Sequence, residues 1–470
     1  MPLIVLELND TGILAAAGDP AGLICLDGQA QESPGFALPQ KKELLVGRTA
    51  ASKAHLFPRQ IHNRFWDQLT TEPLEQSARH APQNNAEIAY RHLSAIWPRL
   101  QKFGNAMVIL TPGFYERPQL GLILGIAQEL GMPVKGFLPL ALAAASRPVP
   151  HKMLLHLDIH LHRLEVVYLE QGEQLTLRDT ATTSEKGLLH LYREWVDAIA
   201  QEFVRTTRFD PFHQAASEQE LYDRLPGMIS HLQHNPAIVL EITGGSAAYS
   251  ITLERDLMIQ RAESVYGEII RLIDRMRSKR GEGHPSAVLQ VSHRLARLPG
   301  CVEMLSTIKD AQIIQLDQQA GVLGALEIWH RLEAQRSNQG ISFFTSRPWQ
   351  RPLRPDARAP AAGKASPPRA THLLYRSIAY PITHQPLTIG SAPDSGQDGV
   401  TIVVEAAGVS PLHCTVALRG GETVLSNVSE RGTFVDEMLV NGNITLKLGQ
   451  RIRIGSPGER LELITCIDIL

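Results

Sequence analysis

The sequence predicts an α/β body followed by a separate all-β domain, and three observations carry that division. Over residues 1–335, short apolar strands alternate with amphipathic helices, the rhythm of an α/β architecture. Across residues 346–371, prolines crowd the chain at Pro348, Pro352, Pro355, Pro360, Pro367 and Pro368. Beyond them, short β-type runs recur with turn residues between, as in a β-sandwich. A chain of 470 residues is also too long for one core.

In the body, residues 3–8 read as a buried strand that ends in the turn Asn9-Asp10-Thr11-Gly12. A second strand is expected at 106–110, then a helix over 119–130 that stops at Gly131. Residues 153–157 and 164–169 read as a hairpin, and 188–203 and 257–276 as amphipathic helices. Residues 336–370 hold small residues and the arginines Arg347, Arg351, Arg354, Arg358 and Arg369 among the prolines. That composition predicts a solvated, semi-extended tether. Residues 371–470 then carry strands at 401–404, 415–418, 422–425, 444–446 and 461–464, separated by turns such as Asn441-Gly442-Asn443.

Composition narrows the function. The net charge is -2, so no whole-chain field draws the protein to nucleic acid or a membrane surface. Cys25, Cys301, Cys414 and Cys466 have no CxxC spacing and read as isolated thiols rather than a zinc site or a disulfide framework. The N-terminus turns acidic at Glu7, too early for a signal peptide, and no apolar run reaches membrane-spanning length. A cytoplasmic protein is expected, with protein partners, no nucleic acid and no membrane insertion.

Three signatures stand out near the C-terminus: Val409-Ser410-Pro411-Leu412-His413-Cys414, Ser429-Glu430-Arg431-Gly432-Thr433-Phe434-Val435, and Leu448-Gly449-Gln450-Arg451-Ile452-Arg453-Ile454-Gly455. In that order they resemble a forkhead-associated (FHA) domain, a sandwich whose end loops read phosphothreonine peptides. The resemblance implies phosphopeptide binding by Ser410, Arg431, Gly432 and Thr433, with Gly390 and His413 as structural positions. The family's Gly-Arg pair appears here as Gly390-Ser391, which removes an arginine suited to phosphate by its fixed fork of donors. Arg431 stands where asparagine is usual and is the candidate to restore that charge. A threonine-phosphorylated protein or an unphosphorylated protein surface are both partners open at this point. Gly47-Arg48 imitates the missing pair, without FHA surroundings.

Seven segments of the body resemble, in order, the nucleotide-binding domain of DnaK-type heat-shock chaperones, a member of the actin-like, ribonuclease-H-like two-lobed fold. They are Glu7-Leu8-Asn9-Asp10-Thr11, Leu44-Leu45-Val46-Gly47-Arg48-Thr49-Ala50, Val108-Ile109-Leu110-Thr111-Pro112-Gly113-Phe114, Pro139-Leu140-Ala141-Leu142-Ala143-Ala144-Ala145, residues 155–165, residues 288–299, and Asp317 through Ala325. The resemblance implies one lobe from residues 1–150 and 315–335 and a second from 151–314. The departures fall on the chemistry. Phosphate loops need glycine for close backbone approach, yet the second loop reads Asp158-Ile159-His160-Leu161-His162-Arg163. Asn9 and Asp10 alter the first loop, Ser292-His293 replaces the adenosine glycines, and Leu138 replaces the catalytic glutamate. Glu7, Asp158 and Glu165 keep acidic positions that organise magnesium and water in the family. With Asp10 and Thr11 they form the candidate ATP and magnesium site, if any nucleotide binding survives; no catalytic residue and no required cofactor are expected.

Two smaller patterns compete. His156, Asp158, His160 and His162 alternate, so a continuous strand would put them on one face with metal-ligating chemistry, whereas a loop after Asp158 would scatter them. Thr243-Gly244-Gly245-Ser246 reads as a tight turn in the second lobe. The function expected from the whole is a non-catalytic adaptor, a pseudo-ATPase body and a tethered FHA domain each binding protein. The alternative is a divergent ATPase whose lobe closure regulates the FHA domain.

Overall fold

The computed structural model describes residues 2–18, 21–41, 43–74, 82–149, 151–244, 247–280, 285–334, 340–349, 370–375, 378–393, 401–404, 408–419, 422–436, 438–455, 458–464 and 466–467. The chain forms two compact units, one of Met1–Ala17 with Glu32–Asp356, the other of Gly18–Gln31 with Ala357–Leu470. No helix among the described residues is long and apolar enough to cross a membrane.

The first unit is mixed α/β. In its first sheet, Leu3–Glu7 runs antiparallel to Leu14–Gly18 and parallel to Ala106–Thr111, which is parallel to Val134–Pro139. Leu3–Glu7 is buried on both faces, which suits its continuous aliphatic run. In the second sheet, Met153–Ile159 runs antiparallel to Leu164–Gln171 and parallel to Ala287–Val291, which is parallel to Ala311–Gln315. Gln174–Thr182 extends the hairpin side. In a separate antiparallel pair, Ala237–Gly244 with Ala247–Glu254, Thr243 and Gly244 end the first strand; Gly245 and Ser246 lie outside the described residues.

Helices form where apolar residues recur at helical spacing. In Leu188–Thr207 the large buried side chains are Leu188, Leu191, Trp195, Val196, Ile199 and Phe203, on a helix packed against helix Arg255–Ser278 and strand Ala247–Glu254. Trp195 is fully buried because its Nε1–H donates to the Met258 carbonyl at 2.7 Å. Helix Ala320–Ala334 lies close on Leu140–Ala144 through glycine: a Cβ at Gly324 would stand 2.2 Å from the Ala143 carbonyl oxygen. A Cβ at Gly321 would meet Leu140 at 2.3 Å and the Glu7 carboxylate at 2.8 Å.

The expected tether starts later than the boundary at 335. Ser342–Phe343 pairs with the edge of the first sheet beside Phe137, whose ring stacks on Phe343 with centroids 5.0 Å apart. Ser346–Pro348 pairs with Gln174–Thr176, and Trp349 is buried. Aromatic residues, which a proline count overlooks, hold this stretch in the body. Pro352, Pro355, Pro360, Pro367 and Pro368 lie outside the described residues.

The second unit is an all-β sandwich. One sheet contains Ile378–Pro381, His372–Tyr375, Glu459–Ile464, Arg451–Ile454, Thr433–Val435 and Met438–Leu439; the other contains Thr401–Val403, Leu387–Gly390, Cys414–Arg419, Glu422–Asn427 and Asn443–Leu446. Leu373, Ile389, Val416, Leu425, Ile452 and Leu463 fill the space between them. Residues from the N-terminal stretch join this unit: Leu23–Ile24 pairs in parallel with Cys466–Ile467, and Cys25 packs on Ala379 and Ile464.

Candidate functional site

Two constellations carry the expected site residues. The first is buried in the body. Glu7 ends its strand, and the following turn is closed by Asn9, whose Oδ1 accepts from the Thr11 N–H at 2.9 Å and the Thr11 hydroxyl at 2.8 Å. Asn9 Nδ2 donates to Asp158 Oδ2 at 3.0 Å, so the first and second loops are joined directly. The Asp10 carboxylate accepts the Leu161 N–H at 2.8 Å, and Asp158 accepts the Ile159 N–H at 2.9 Å. Backbone donors of the second loop are thus satisfied by the protein's own carboxylates.

The cations are internal too. Arg294, 2% exposed, lies 2.8 Å from Glu7 and 3.6 Å from Asp158 and donates to the Gly12 carbonyl at 3.1 Å. His160 lies 3.6 Å from Asp10 and 3.7 Å from Glu165. Burial alone would lower the His160 pKa, but the carboxylates of Asp10 and Glu165 on either side of the ring raise it to about 10, so the imidazole is charged at neutral pH. Burial raises the Glu7 carboxyl, with the Arg294 charge opposing. Asp158 is also desolvated, but Arg294 and His160 hold it below its ordinary value. Glu32 accepts from Gln318 Nε2 at 3.0 Å and lies 3.4 Å from His293, whose pKa is depressed to about 4 by burial and by Arg294.

Glu7, Asp10, Asp158 and Glu165 come together around Arg294 and His160. Thr11 turns back onto Asn9. Arg294 and Glu32 were not singled out from the sequence; the only signal was a charge beside Ser292-His293 where glycines were expected. The four-residue alternation does not make a metal face. The strand ends at Ile159, and the turn closed by His160 N–H to the Arg163 carbonyl sends His162 to Asn63. Among the described residues no group of three or more His, Cys, Asp or Glu is placed to hold a metal ion.

The second constellation lies at the end of the sandwich. Gly390 lets two backbones meet, since a Cβ there would stand 1.9 Å from the Pro411 carbonyl oxygen. Ser391 N–H donates to the Ser410 carbonyl at 2.9 Å, which fixes the loop that carries Ser410. His413 is buried and bridges two loops: Nδ1 accepts the Ser410 N–H at 3.1 Å, so the proton is on Nε2, which donates to the Gly432 carbonyl at 3.0 Å. Burial lowers its pKa, in keeping with a neutral ring. Gly432 holds φ +87°, a conformation costly for any side chain.

Ser410 Oγ lies 2.7 Å from Ser429 Oγ, and Ser429 Oγ accepts the Arg431 N–H at 3.1 Å. Arg431 itself is exposed. Thr433, expected at the binding surface, is instead fully buried and donates to Asn427 Oδ1 at 2.7 Å. Asn427, which sequence reasoning missed, also donates to the Ser429 and Val440 carbonyls. The arrangement offers a paired hydroxyl in a loop that also carries an exposed arginine, residue types suited to oxyanion recognition.

Comparison with curated proteins returned no match. The family model of the FHA domain matches residues 387–455, a span that contains Gly390, Ser410, His413, Arg431, Gly432 and Thr433. This chain thus carries a C-terminal FHA domain, a protein-interaction module that typically depends on phosphothreonine.

Proposed function

We propose that the protein is a non-catalytic adaptor: its FHA domain captures a threonine-phosphorylated protein, and its body, an actin-like pseudo-ATPase, docks a second protein. The observation that carries the first half is the Ser410–Ser429 hydroxyl pair, whose Ser429 oxygen also holds the backbone of the exposed Arg431. Arg431 supplies the charge that Ser391 cannot.

What supports the actin-like part is a repeat of topology. Each sheet has a central strand with an antiparallel hairpin on one side and two parallel strands on the other. What supports the loss of ATPase chemistry is occupancy. Asp10 takes the Leu161 amide that a phosphate would need, and Arg294 and His160 neutralise the carboxylates that would hold magnesium. The residues do not fit a magnesium nucleotide. Contacts between the halves also need no ligand: Arg163 pairs with Asp67 at 2.5 Å, and His55 stacks on Tyr222 with centroids 3.5 Å apart.

Calorimetric titration of ATP with magnesium, with turnover followed in parallel, tests the body. No heat and no turnover are expected; micromolar binding would make the divergent ATPase the better reading. Fluorescence anisotropy with threonine-phosphorylated and unphosphorylated peptide arrays tests the FHA domain. Equal binding of both sets would remove the phosphate dependence.

A further inference from the structure

Beside the buried cluster lies a cavity of about 370 Å³ walled by Arg64, Lys186, Arg193, His162 and His190 against a single acid, Glu185. Gly187 is the joint between its two walls, for a Cβ there would stand 2.5 Å from the His160 carbonyl oxygen and the Arg163 nitrogen. The imidazoles are oriented. His162 Nε2–H is shared between the carbonyl and the side-chain oxygen of Asn63, each at 3.1 Å, and Lys186 Nζ donates to His190 Nε2 at 3.2 Å. Burial lowers the pKa of both rings, with Arg64 acting further on His162 and Lys186 on His190. The rings therefore add hydrogen-bonding atoms at neutral pH without adding charge.

Three fixed cations face one acid in the lining; Arg64 also lies 3.8 Å from Asp67, an acid that pairs with Arg163. Glu185 pairs with Arg64 at 2.6 Å, but its side chain is 68% exposed and readily displaced. Cations of one sign gathered on a concave wall favour an anion there. The volume is larger than a lone oxyanion needs and sits near the small end of small-molecule pockets, about 300–1,000 Å³. Leu161 and Leu189 complete the lining with apolar surface.

We propose that this pocket binds a small phosphorylated molecule, with Arg64, Lys186 and Arg193 on its phosphate. The site is separate from the FHA loops and from the carboxylate cluster, and it does not depend on either reading given above. Arginine and lysine at one site suit a phosphomonoester, the first by paired donors and the second as a point charge.

The test is calorimetric titration of the full chain with ribose 5-phosphate, inorganic phosphate and ribose. Binding of the two phosphates and not of ribose is expected. Lys186→Met and Arg193→Gln should each weaken ribose 5-phosphate by about tenfold, the usual effect of losing one charged hydrogen bond, with unchanged unfolding temperature. Glu185→Gln should remove the nearer of the two acids on Arg64, leaving Asp67 at 3.8 Å, and tighten binding severalfold. The Ser410→Ala, Arg431→Gln double variant should bind as the parent does. The proposal is overturned by silence toward both phosphates in the parent and in Glu185→Gln, or by equal binding in the Lys186 and Arg193 variants. Loss only in the Ser410 and Arg431 variant would assign the phosphate to the FHA loops and overturn it as well.

Discussion

Arg294 places its guanidinium 2.8 Å from the Glu7 carboxylate, and both side chains are 2% exposed. Removing one partner of such a pair strands the other without water. Arg294→Met should therefore lower stability by about 3–5 kcal/mol, while Glu7→Gln with Arg294→Met should restore a large part of it. Urea unfolding of the single and double variants measures this. A loss below about 1 kcal/mol in the single variant would show that the pair does not hold the two loops.

The charged His160 ties stability to pH. Its pKa of about 10 in the folded chain exceeds the ordinary value of 6.5. The contribution is thus complete below pH 6.5 and is lost as pH rises toward 10. Thermal unfolding between pH 6 and 10 should fall along that limb in the parent chain and fall less steeply in His160→Gln. Parallel curves would mean that the ring is neutral when folded.

In the FHA loops, exposure separates binding from support. Ser410→Ala and Arg431→Gln should each weaken a phosphothreonine peptide by tenfold or more; Arg431→Gln should leave the unfolding midpoint unchanged, and Ser410→Ala should cost at most about 1 kcal/mol for its bond to Ser429. Thr433→Val should do the reverse, costing about 1–2 kcal/mol through the buried bond to Asn427. A stable Thr433→Val chain that fails to bind would return this hydroxyl to the ligand surface.

Glycine positions in helices should divide the same way. At Gly324 a methyl group has nowhere to go, so Gly324→Ala should be strongly destabilising. At Gly125, in helix Arg117–Glu129, a Cβ would meet open space, and Gly125→Ala should gain about 0.5–1 kcal/mol. Chemical denaturation of the two variants reads the contrast.

Much of this architecture was legible because local pattern and burial agree. The aliphatic run after Met1 and the spacing of Leu188, Leu191 and Trp195 each admit one kind of element. The acids of the cluster were legible by order along the chain. Arg294 was not, since pairing across 287 positions with Glu7 is decided by how the two sheets bring their strand ends together. Thr433 misled for a related reason: a strand residue in a loop signature can face either way, and here Asn427 draws it inward. The strand at Ser346–Pro348 was hidden by proline, which is tolerated at a sheet edge.

The pairing of Leu23–Ile24 with Cys466–Ile467 has a consequence for biosynthesis. The two strands lie 443 positions apart, so Leu23–Ile24 is synthesised long before its partner. The all-β unit cannot be completed until both have been made, and the early strand must wait with one edge unpaired. A chain cut short before Cys466 would keep that edge open, a template for association with other chains.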